Sequence, residues 1–108
     1  MVDHDIPKHY ESIRARFPEA TAALEELGRV LRERGPLDEA TAHLVQMAAA
    51  AAVGSESAAT SHARRALAAG ATDDQLYHAA LLLVTTIGVP RSAALVRWLD
   101  DECKPRGQ

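Results

Sequence analysis

Two histidines carry the chemistry this sequence is best equipped to do. His62 follows Ser55 and Glu56 in one short stretch, and His43 lies upstream beside Leu44, one turn from Met47. An unperturbed imidazole titrates near ~6.5, so either ring can move protons around neutral pH. Each reads as lying on a helix, and a hairpin of those two helices would bring the rings together. Facing each other, they could share a proton, hold an anion when protonated, or bind a metal. A catalytic metal site takes about three protein ligands. His78 is the remaining candidate for a third, and it reads as half-exposed on another helix. No metal and no other cofactor is implied.

Ser55, with His62 as base and Glu56 as carboxylate, has the makings of a nucleophile–base pair. Ser55 also stands where a helix begins, and capping that helix is the simpler use of a serine. Glu56 then suits the first turn through the helix dipole. Arg64, Arg65 and Arg91 could each hold a carboxylate by paired hydrogen bonds. Arg91 is the suggestive one, because it follows the break at Gly88-Val89-Pro90. Arg64 and Arg65 read as surface ion-pair formers. Trp98, Tyr77 and Met47 read as packing residues.

The elements that must position these side chains are helices. Ile6, Tyr10, Ile13 and Phe17 recur at helical spacing, and Pro18 ends or offsets that short element. A second helix is expected from about Glu19 to Arg34, with Ala20, Ala23, Leu24, Leu27 and Leu31 as its apolar stripe. Gly35-Pro36 stops it. Asp38 caps a third helix, whose buried stripe is expected to be Leu44, Val45, Ala48, Ala49 and Ala52. A fourth runs from Ser55 to Ala69 and stops at Gly70. Thr72-Asp73-Asp74-Gln75 fits a capping box. It opens a fifth helix that carries Leu76, Ala79, Ala80, Leu83, Val84 and Ile87. A sixth begins at Pro90 and bears Ala94, Leu95, Trp98 and Leu99, with fraying expected from Pro105. No segment alternates at the strand period. The expectation is an all-α bundle of about six helices in one domain spanning 1–108.

Composition agrees and excludes several function classes. The chain is 47% apolar but only 4% aromatic, rich in Ala and Leu, which favours helices. The net charge is −3 with signs interspersed, which argues against nucleic acid as a partner. Arg29, Arg32 and Arg34 share their stretch with Glu25, Glu26 and Glu33 and read as a solvated face. Cys103 is the single cysteine, so no intrachain disulfide can form. No apolar run reaches the ~18 residues of a membrane span. The N-terminal stretch lacks the pattern of a signal peptide, so a cytoplasmic protein is expected.

The order and spacing of several pieces resemble the carboxymuconolactone decarboxylase / alkylhydroperoxidase D family. They are Leu37-Asp38-Glu39-Ala40-Thr41, the Ala-rich helix ending at Gly54, His62 with Arg64 to Leu67, and Ala69-Gly70-Ala71-Thr72-Asp73-Asp74. Gly88-Val89-Pro90 with Ala93-Ala94 completes the set, so the resemblance covers about 37–94. It implies an all-α fold assembled as a homo-oligomer, a trimer or hexamer, with sites near subunit interfaces. The peroxidase branch of the family carries Cys-x-x-Cys-x-x-x-His and an upstream Glu. Here those cysteine positions are Ser55 and Ala58, the Glu position is His43, and only His62 is kept. A hydroxyl cannot cycle through sulfenic acid and disulfide, so thiol peroxidase activity is not expected. The decarboxylase branch also lacks the cysteines. The resemblance then implies acid–base chemistry of a lyase on a small carboxylate or lactone. His62 and His43 would be the catalytic groups, and Ser55, Glu56 and Arg91 would lie at the substrate. The alternative is a non-catalytic binding or scaffold member of the family.

Overall fold

The computed structural model describes the backbone of residues 8–107 and the side chains of residues 10–103. Ile6 and Pro7, the expected start of the first helix, lie outside the described residues. Seven helical segments follow one another: α1 Lys8–Arg16, α2 Pro18–Arg34, α3 Glu39–Ala52, α4 Glu56–Ala68, α5 Asp73–Leu82, α6 Val84–Ile87 and α7 Val89–Gly107. Among the described residues there is no strand.

Local chemistry sets most of the boundaries. The Asp38 carboxylate accepts the Thr41 N–H at 2.7 Å and starts α3. At α5 the Thr72 hydroxyl accepts the Gln75 N–H at 3.1 Å, and the Gln75 side chain accepts the Thr72 N–H at 3.0 Å. That is the reciprocal box the sequence predicts. Gly54, between α3 and α4, has φ +80°. A side chain there would be strained, and its Cβ would fall on the Arg91 guanidinium.

The α3–α4 hairpin is the centre of the molecule, and α7 packs across it. Ala51, Ala59, Ala63 and Ala66 are fully or almost fully buried, and their small side chains let the two helices approach closely. Met47, Leu76, Leu95 and Leu99 are fully enclosed. Each stabilises the bundle by about 1.5–3 kcal/mol of apolar burial. Ser92 of α7 is buried by donating its hydroxyl to the Ala80 carbonyl at 2.6 Å.

Several expectations need correction. The fifth helix does not run unbroken to Ile87: it stops at Leu82, and α6 is a single separate turn. α7 continues to Gly107, past the expected fraying at Pro105. In α3 the buried residues are His43, Met47, Ala50 and Ala51, while Val45 is 54% exposed and Ala49 and Ala52 face outward. The helix is therefore rotated relative to the predicted stripe, because a buried polar residue, His43, belongs to its inner face. In α2 only Thr21 is buried, and Leu24, Leu27 and Leu31 stay more than half exposed. That helix leans on the body through limited contact with α1 and α3, which leaves its apolar stripe uncovered.

Candidate functional site

α3 and α4 place His43 and His62 face to face across the hairpin. Their Nδ1 atoms lie 3.1 Å apart, with ring centroids 5.3 Å apart and planes tilted by 35°. His43 is 2% exposed. An imidazole that deep in the protein must have its polar atoms satisfied, and His62 supplies a partner. On its far side, His43 Nε2 lies 3.8 Å from a carboxylate oxygen of Glu39, one turn earlier on α3. The order Glu39, His43, His62 thus runs from an exposed carboxylate through a buried ring to a half-buried one.

The Nδ1–Nδ1 contact limits protonation. One ring must donate and the other accept, so both rings cannot be imidazolium while the contact holds. His62 is pushed down to about 4, first by burial and then by the positive charges of Arg65 and Arg32. It is neutral at pH 7. If His43 carries its proton on Nε2, toward Glu39, its Nδ1 accepts from His62 Nδ1–H. His62 Nε2 is then left with a bare lone pair.

The remaining sequence candidates are placed as follows. Ser55 occupies the N-cap position of α4 with extended backbone, yet its side chain makes no capping hydrogen bond. The simple capping role therefore fails. Glu56 is exposed in the first turn of α4. Arg91 Nη1 reaches the Ala51 carbonyl at 3.4 Å and lies over the Gly54 turn, at the closed end of the hairpin. The histidine pair sits about two turns away along α3. Arg64 bridges to Glu102 of α7 at 3.1 Å. His78 is exposed on α5. Among the described residues, no group of three or more His, Cys, Asp or Glu side chains comes together as a metal site. Cys103 is buried.

Two charged neighbours of the pair, Glu39 and Arg32, were not singled out from the sequence as such, and a third, Arg65, was read as a surface ion-pair former. Glu39 precedes His43 by one turn and Arg65 follows His62 by one turn, so helical spacing held both signals. Arg32 comes from α2, and only the fold brings its charge to bear on His62. An open groove of about 370 Å³ lies between the start of α3 and the α4–α5 turn, lined by Asp38, Glu39, Leu44, Gly70 and Gln75 among others. It meets the histidine pair only through Glu39.

These features define an all-α bundle whose central hairpin holds a hydrogen-bonded histidine pair, one ring from each helix. The carboxymuconolactone decarboxylase family model matches residues 18–101, and the chain belongs to that family. Neither the curated proteins nor the solved structures compared with it gave a match. Among the described residues no helix is long and apolar enough to cross a membrane.

Proposed function

We propose that this chain is a non-redox member of its family that performs acid–base chemistry on a small carboxylated or lactone-like molecule. The observation that carries the reading is the 3.1 Å contact between His43 and His62, with His62 neutral at pH 7. Loss of CO2 from a carboxylated unsaturated lactone breaks a C–C bond and leaves its electron pair on a dienolate. One proton must then enter per CO2 released. His62, resting neutral, takes up that proton through Nε2 and hands it to the dienolate carbon. His43 holds the ring in orientation through Nδ1, and Glu39 favours the His43 tautomer that does so. A thiol cycle has no support, since Ser55 and Ala58 stand at the cysteine positions and Cys103 is the lone thiol.

Assembly as a homo-oligomer is part of this reading. Phe17, Leu24 and Leu31 repeat every seven residues along α2 and are 61%, 60% and 66% exposed. With Leu27 beside them they form an apolar stripe of the kind that pairs with another copy.

The second reading, a non-catalytic binding or scaffold protein, has its own observation. Met47 is fully buried one turn from His43, and the open groove reaches neither ring. Turnover separates the two. Purified protein is given γ-carboxymuconolactone and CO2 release is followed. Release above background that is lost in His62→Gln, with an unchanged melting temperature at pH 7, is the expected result. Equal release by His62→Gln removes His62 from the mechanism. No release by either protein refutes the decarboxylase chemistry and favours the binding protein.

A further inference from the structure

The apolar stripe of α2 has a shape that selects its cover. Phe17, Leu24, Leu27 and Leu31 are each more than half exposed. At the helical period they fall within a sector of about 80°, so they form one continuous strip rather than a scatter. Together they leave on the order of 400 Å² of apolar surface on a single helix, the size at which a patch marks an interaction site. The helix is 17 residues long, and Thr21 is its buried residue. Its packing on the body therefore leaves the strip open along its whole length.

The charges of α2 are sorted by end. Glu19, Glu25 and Glu26 lie in its N-terminal half, while Arg29, Arg32 and Arg34 lie in its C-terminal half with Glu33. Some of these are satisfied locally: Arg29 bridges Glu26 and Glu33, and Arg14 of α1 holds Glu25. Glu19 in the first turn and Arg32 and Arg34 in the last turn make no ion pair among the described residues. Two such helices laid side by side in the same direction bring like charges together. Laid in opposite directions they bring acidic end to basic end and set their dipoles against one another favourably.

We propose that the α2 stripe is covered by α2 of a second copy, the two helices running antiparallel across a two-fold axis between residues 25 and 26. In this register Leu24 packs against Leu27 of the partner subunit, and symmetry repeats the contact on the other side of the axis. Phe17 and Arg34 lie at equal distances from the axis, about 13 Å along the helix in opposite directions. Each Phe17 ring thus meets Arg34 of the partner subunit as an aromatic face meets a cation. Glu19 lies on the same flank of the stripe as Arg34 and about 3 Å nearer the axis, so it pairs with that guanidinium across the interface. The two stripes with their flanks bury on the order of 1,000 Å² in total, the lower end for a specific interface, so the pair is a weak one. This assignment rests on the chain assembling with itself, and pairing is measured apart from turnover.

Sedimentation equilibrium of the full chain at pH 7 should show monomer and dimer exchanging with a Kd on the order of 1–10 μM. Direction is read by cross-linking with a short bismaleimide in a Cys103→Ser background, well above that concentration. A mixture of Phe17→Cys and Arg34→Cys proteins should yield a cross-linked dimer containing one of each. Phe17→Cys alone should yield none, because its two copies lie about 25 Å apart along the paired helices. Glu19→Arg and Arg34→Glu should each raise the Kd about 5-fold, and the double variant should regain most of the loss, with helical circular dichroism unchanged throughout. A chain that stays monomeric at hundreds of micromolar overturns the proposal. So does an oligomer that ignores both charge reversals, or one in which Phe17→Cys cross-links to itself. The expected cross-links without CO2 release leave the pairing standing while the decarboxylase reading fails, and CO2 release by a strict monomer removes the pairing alone.

Discussion

Acidification should destabilise this protein through His62, and His62→Gln isolates the effect. In the unfolded chain the imidazole titrates near 6.5, and in the folded chain it is held at about 4 by burial and by Arg65 and Arg32. Between those values the unfolded state binds a proton that the native state does not. Stability therefore rises with pH across this window and falls as pH drops from 6.5 toward 4. One group with these two values withdraws about 2 kcal/mol between pH 7 and pH 5, and about 3 kcal/mol by pH 4. A domain of this size has only about 5–15 kcal/mol in total, so the loss is measurable. Gln cannot titrate, yet its amide can still hydrogen-bond His43. Urea unfolding at fixed protein concentration, followed by far-ultraviolet circular dichroism from pH 7 to pH 4, measures the difference. The wild type should lose about 2 kcal/mol more than His62→Gln between pH 7 and pH 5. Parallel stability curves for the two proteins would refute the reasoning.

Three further outcomes follow from the fold and its surface. Thr72→Ala removes one half of the capping box at α5 and should lower stability by about 1 kcal/mol in urea unfolding at pH 7. Gly54→Ala places a side chain at φ +80° against the Arg91 guanidinium and should cost at least about 1–2 kcal/mol, with part regained when Arg91→Ala is added. Leu24→Glu combined with Leu31→Glu charges the uncovered stripe of α2 and should shift sedimentation toward the monomer, while the helical circular dichroism signal stays unchanged.

What could be read from the sequence was governed by range. The caps at Asp38 and Thr72 were legible because donor and acceptor lie within one turn, and composition left little room for strands. The hairpin that joins His43 to His62 was legible in outline, since two helices joined at Gly54 must lie side by side. The inward face of α3 was not. Its apolar residues run nearly all the way round, so hydrophobicity alone could not place its rotation, and burial of His43 depends on a partner from α4. The break at Leu83 carries no proline or glycine to announce it. Arg91 was read toward the substrate because it follows a helix break, but the fold turns it back onto the Ala51 carbonyl. Arg32 looked like one charge among several on a solvated helix. Gly28, one turn before it, was the local sign that its guanidinium folds back along α2.

The histidine pair itself is tested most directly by long-range ¹H–¹⁵N correlation of the imidazole rings at pH 7, assigned with His43→Gln and His62→Gln. His62 should be neutral, with its Nδ1 proton bonded to His43 Nδ1 and its Nε2 bare. A His62 ring that is imidazolium at pH 7, or whose nitrogen shifts do not respond to His43→Gln, would contradict it.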